Sequence, residues 1–225
     1  FQDVLIGELI TSNNIITMNY ENVDHAHAIY FIQQDVATSI NREINENILR
    51  TPMGKTLRTT GAVTGISHNA TSSGILSIKR NTISIDKGNG CSTSLYTGIN
   101  AANLNSTYST FEITENNITL NSLCTTNVNT TIVGINNTDG TATTNKIISS
   151  NNVTITGLNT GGTSIGINVG RTGILGANLN TITISNFNTN IYGLLLTTGC
   201  TTNMVNGNII TISPIGMPVT SNILG

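Results

Sequence analysis

The side chains that could do chemistry are few and unevenly placed. Acids concentrate early, at Asp3, Glu8, Glu21, Asp24, Asp35, Glu43 and Glu46, with Glu112 and Glu115 later and none after Asp139. Two carboxylates astride a glycosidic bond could hydrolyse it. Glu112, however, neighbours an inward Ile113 and should point out, and Glu115 has no mate on a neighbouring segment. Beyond Asp139 only Lys146 and Arg171 carry positive charge, so that half lacks a general acid or base. Asp24-His25-Ala26-His27, if extended, would hold two imidazoles on one face about 7 Å apart. That could seat a transition metal with a further ligand. With only 3 histidines in the chain, solvent-facing side chains are the simpler reading. No catalytic residue, metal site or cofactor is assigned.

The elements that would have to position these groups are written in the composition. Among 225 residues there are 38 Thr and 34 Asn, no Trp, only 3 Pro and 9% charged residues. Thr and Ile suit pleated strands, and Asn suits turns. An apolar fraction of 37% is enough to bury a core. A net charge of −2 without a basic stripe sets nucleic acid aside. No apolar run approaches the length of a membrane-spanning helix. The opening Phe-Gln-Asp-Val has no signal-peptide character, so the chain is expected to be a piece of a longer protein that continues into further domains.

One pattern, Asn-x-Ile-Thr-Ile, recurs. Its anchors are Asn14, Asn47, Asn81, Asn116, Asn151, Asn180 and Asn208, spaced 33, 34, 35, 35, 29 and 28 residues apart. Two places after each anchor the residue is aliphatic in every copy. Four places after, it is apolar except at Thr51, and three places before, apolar except at Thr11. Between the inward positions stand Thr17, Arg50, Ser84, Thr119, Thr154, Thr183 and Thr211. This period-two alternation gives a strand with aliphatics inside and hydroxyls outside. The Asn itself is taken as the corner between two strands, because Asn accepts positive φ. A third element begins at Gly65-Ile66, Gly98-Ile99, Gly134-Ile135, Gly166-Ile167 and Gly193-Leu194, with Ala28-Ile29-Tyr30 in the same slot of the first copy.

Three short strands per copy make one coil of an all-β solenoid. The expectation is therefore a single domain over 1–225, a right-handed parallel β-helix of about seven coils and roughly 30 Å in length. Stacked Asn side chains should hydrogen-bond from coil to coil through Asn81, Asn116, Asn151, Asn180 and Asn208. Cys91 and Cys124 fall in corresponding loops of adjacent coils and form a candidate disulfide. Cys200 lies in a different loop.

The Ile-x-x-Asn-Asn-x-Ile arrangement at Ile113 to Ile118 and Ile148 to Val153 resembles the pectate-lyase-like right-handed β-helix repeat, and the resemblance runs from Leu9 to Ile212. Its Asn-, Thr- and Ile-rich flavour is similar to repeat regions of large secreted or surface-displayed bacterial proteins. The resemblance implies an extracellular or cell-surface stalk or adhesin-like module that contacts surface glycans or other surface and secretion proteins. The enzymes of that group hold Ca²⁺ with acids and use a basic proton acceptor, so a polysaccharide lyase or glycoside hydrolase is the alternative. A second alternative is ice binding through the outward ladder Thr17, Ser84, Thr119, Thr154, Thr183 and Thr211, which resembles the flat Thr arrays of some β-solenoid antifreeze proteins.

Overall fold

The computed structural model describes residues 9–25, 28–35, 41–70, 73–88, 95–102, 107–124, 130–138, 140–141, 143–157, 162–170, 173–186, 190–197, 202–214 and 223–224. Among them there is no helix, and every strand pairing is parallel. The strands before the Asn anchors form one sheet: Leu9–Ser12, Arg42–Asn45, Ser73–Lys79, Thr107–Thr114, Asn145–Ser149, Ile174–Asn178 and Thr202–Asn206. Those after the anchors form a second: Ile15–Thr17, Ile48–Arg50, Thr82–Lys87, Asn117–Ser122, Asn152–Gly157, Thr181–Ser185 and Ile209–Ser213. Tyr20–His25 and Leu57–Thr59 extend this second sheet at its N-terminal end. The third comprises Ile29–Gln34, Val63–His68, Tyr96–Ala101, Thr131–Asn137, Thr163–Val169, Asn190–Leu196 and Ile223–Leu224. Each sheet takes one strand from every coil in sequence order, giving seven coils and a topology that fits a right-handed parallel β-helix.

The core follows from the repeat. Leu49, Ile83, Ile118, Val153 and Ile182 are buried, as are Ile85, Leu120, Ile155 and Ile184 two places later, and Ile44, Ile78, Ile113, Ile148 and Ala177 before the corner. Thr51, the break in the second of these columns, is also buried, and its Oγ1 accepts a hydrogen bond from the Asp86 amide at 3.1 Å.

At the corner the structure corrects the sequence expectation. Positive φ falls on the residue before each Asn: Asn13, Glu46, Arg80, Glu115, Ser150, Leu179 and Gly207, at 55° to 62°. These residue types have nothing in common, because any side chain can be held there at a cost of about 1–2 kcal/mol. The anchor is Asn for its amide. Each Nδ2 donates to the Oδ1 of the next coil's Asn at 2.9–3.0 Å, in an unbroken run from Asn14 to Asn208. The same Oδ1 atoms also accept the backbone N–H of the preceding Asn at 2.9–3.1 Å. The second Nδ2 proton reaches a carbonyl of the previous coil, as from Asn116 to Ile78 O at 2.9 Å and from Asn151 to Ile113 O at 2.8 Å. An amide with these partners can be buried without penalty, whereas an orphaned polar group there would cost roughly 1–3 kcal/mol.

The third-sheet glycines have a steric cause. A Cβ at Gly65, Gly98, Gly134, Gly166 or Gly193 would lie 2.3–2.9 Å from a γ-methyl of Ile83, Ile118, Val153, Ile182 or Ile210 respectively. Each glycine is thus the gap that receives the β-branched residue two places past the next corner. In the first coil this slot belongs to Phe31-Ile32-Gln33, since Ile32 pairs with Ile66 and Gln33 with Ser67, and not to Ala28-Ile29-Tyr30. Where Phe31 replaces the glycine, the corresponding inward residue of the next coil is Leu49, which has no β-branch.

Candidate functional site

The face outside the post-corner sheet is built from columns in strict register. Thr17 pairs with Arg50, Arg50 with Ser84, Ser84 with Thr119, Thr119 with Thr154, Thr154 with Thr183, and Thr183 with Thr211. Ser84, Thr119, Thr154 and Thr183 are half-buried, while Thr17 and Thr211 at the two ends are exposed. Arg50 Nε donates to Thr17 Oγ1 at 3.4 Å, so a guanidinium interrupts the hydroxyl column near its N-terminal end. On one side runs the exposed column Ile15, Ile48, Thr82, Asn117, Asn152, Thr181 and Ile209, in which Asn152 Nδ2 donates to Asn117 Oδ1 at 3.2 Å. On the other side Asn121 Nδ2 donates to Asp86 Oδ1 at 2.7 Å. A further amide ladder, unforeseen from the sequence, lines the third sheet: Asn168 Nδ2 donates to Asn136 Oδ1 at 2.9 Å, and Asn136 Nδ2 to Asn100 Oδ1 at 2.8 Å.

The described acids are dispersed. Glu112 is ion-paired with Lys79, and Glu46 with Arg80 at 2.8 Å; both pairs are partly exposed and contribute little stability. Glu43 accepts a bond from Asn45 Nδ2 at 2.7 Å, and Glu115 stands exposed at its left-handed corner. Among the described residues no three His, Cys, Asp or Glu side chains converge as metal ligands. Asp3, Glu8 and His27 lie outside the described residues, as do the side chains of Glu21, Asp24 and His25. Cys124 is disulfide-bonded, with its Sγ 3.5 Å from Gly88 O. Cys91 and Cys200 lie outside the described residues.

The sequence reading missed a set of buried polar side chains where the third sheet turns into the pre-corner sheet. Arg42 and Lys146 are fully buried and share one inward column with Leu76, Phe111 and Leu175. Arg42 Nη1 donates to Gln34 Oε1 at 3.5 Å, and Lys146 Nζ to the carbonyls of Asn137, at 2.7 Å, and Gly170. The Lys146 ammonium also lies 5.5 Å from the Phe111 ring centroid, within cation–π range. His68 is buried and takes a bond from the Ala70 amide at Nδ1, so its Nε2–H donates to Tyr108 Oη at 2.7 Å. Burial, and then the nearby Arg42 charge, push its pKa down to about 3, which keeps the imidazole neutral. The signal was present: Arg42 and Lys146 stand five residues before an anchor, a position that alternation sends inward.

No protein-family model, curated protein or solved structure matches this chain.

Proposed function

We propose that the chain is a non-catalytic β-helix module of a secreted or surface-displayed protein, a rigid stalk or adhesin-like rod whose polar faces contact glycans or partner proteins. The unbroken Asn ladder carries this reading, because it ties every coil to the next and makes a stiff axial spacer of seven stacked coils. The side chains that could do acid-base work also fit it. Glu46 and Glu112 hold ion pairs, Glu43 and Asp86 accept amide bonds, and the buried Arg42 and Lys146 are engaged with the fold. A disulfide at Cys124 accords with an oxidising, extracytoplasmic compartment.

Binding without turnover is the expected outcome when the chain is screened against acidic and neutral polysaccharides with Ca²⁺ present. Release of unsaturated or reducing ends that disappears with Glu112→Gln or Glu115→Gln would replace this reading with the lyase or glycosidase one.

The register of Thr119, Thr154, Thr183 and Thr211 favours ice binding as a second reading, since it repeats hydroxyls at the inter-strand spacing of about 4.8 Å. It requires thermal hysteresis that is lost with Thr154→Tyr or Thr183→Tyr, and a sample without hysteresis at high concentration removes it.

A further inference from the structure

A third buried cation, away from the polar corner of Arg42 and Lys146, has no hydrogen-bond partner. Lys87 ends the strand Thr82–Lys87 and is fully buried, and its Nζ has no hydrogen-bond partner. Its register partner on the next coil is Ser122, also buried, whose Oγ likewise has none. The column then steps down to Gly157, which pairs with Ser122, so side-chain size falls from Lys to Ser to Gly along it. The Tyr96 ring centroid lies 6.0 Å from Nζ, at the edge of cation–π range, and Tyr96 Oη donates its proton to Ile85 O without a hydrogen bond to the amine. Burial alone lowers the Lys87 pKa, to about 8, which still leaves the amine mainly protonated at neutral pH. A buried ammonium without a counter-charge is strongly disfavoured, and two adjacent unsatisfied donors of this kind call for a ligand that accepts from both.

We propose that Lys87 Nζ and Ser122 Oγ form an internal binding site for a small inorganic anion of the halide class, held between adjacent coils where the post-corner sheet turns toward the third. A halide accepts both donors and neutralises the charge, whereas a water molecule would satisfy the hydrogen bonds and leave the charge unbalanced. The ion would be a structural component, fixing the corner beside the bonded Cys124.

The test is thermal unfolding of the whole chain in sodium chloride or bromide against sodium gluconate at matched ionic strength. Binding to the native state raises the midpoint in a saturable, halide-specific way. Lys87→Met should abolish that dependence, and Ser122→Ala should weaken the apparent halide affinity about tenfold by removing one donor. If Lys87→Met does not fold, Ser122→Ala and an anomalous bromide peak between the two side chains in a crystal carry the test. Equal midpoints in halide and gluconate, or a crystal with water alone at this position, would overturn the proposal.

Discussion

Asn116 and its neighbour Glu115 divide the work of the corner. Asn116 accepts from Asn81 and donates to Asn151 and Ile78, while Glu115 supplies the left-handed turn at φ 59° and stays exposed. Replacing Asn116 with Ala strands several buried donors and acceptors, so a loss of at least about 3 kcal/mol is expected from chemical denaturation. Glu115→Gly should act in the opposite sense, gaining about 0.5–1 kcal/mol by relieving the left-handed strain against glycine's entropy cost. If the Asn were the strained residue, the two effects would exchange places. His68 adds a pH dependence. Its folded pKa of about 3 lies below the usual imidazole value near 6.5, so between these the unfolded chain binds a proton that the native one does not. The stability it contributes is complete above pH 6.5 and is lost as pH falls toward 3. Urea midpoints at pH 7 and pH 4.5 should therefore diverge less in His68→Gln than in the parent; an unchanged difference would mean that His68 is not held neutral.

The strands and their connections explain why much of the fold was legible from the chain and some of it was not. Inward positions after the corner were readable because one period-two pattern recurs with the same residue classes, as in Ile83 and Ile85 or Ile118 and Leu120. The third-strand glycines could be aligned, but their cause was hidden. It depends on a residue from a different sheet, as Val153 does for Gly134, and sequence spacing does not report such contacts. The same limit put the first-coil slot at Ala28 when Phe31 fills it, since the change from Gly to Phe makes sense only beside Leu49. Lys87 and Ser122 were passed over because their pairing is visible only once the register across coils is known. Gly134→Ala tests the packing directly. The new Cβ would lie 2.3 Å from Val153 Cγ1 and 2.6 Å from Gly166 O, so a loss of about 3 kcal/mol is expected. Adding Val153→Ala should not restore stability, because it removes only the side-chain half of the clash and opens a cavity. Full recovery in the double variant would show that the backbone approach is unimportant.

At the scale of the molecule, seven coils that touch only their neighbours should behave as a nearly one-dimensional stack. Interior ladder positions are bonded on both sides. Asn208 in the last coil is half-buried and receives the Asn180 donor without passing one to a further Asn. Asn208→Ala is therefore expected to cost clearly less than Asn116→Ala, with fraying confined to the terminal coil in hydrogen exchange. Equal losses would point to a globally cooperative body. The proposed spacer function rests on this axial continuity, and the side-chain amides of the ladder report it directly. The decisive measurement is hydrogen exchange of the Asn Nδ2 protons by NMR. A continuous ladder predicts strong protection at Asn47, Asn81, Asn116, Asn151 and Asn180 against rapid exchange at the exposed Asn152. Exchange at the five anchors as fast as at Asn152 would contradict it.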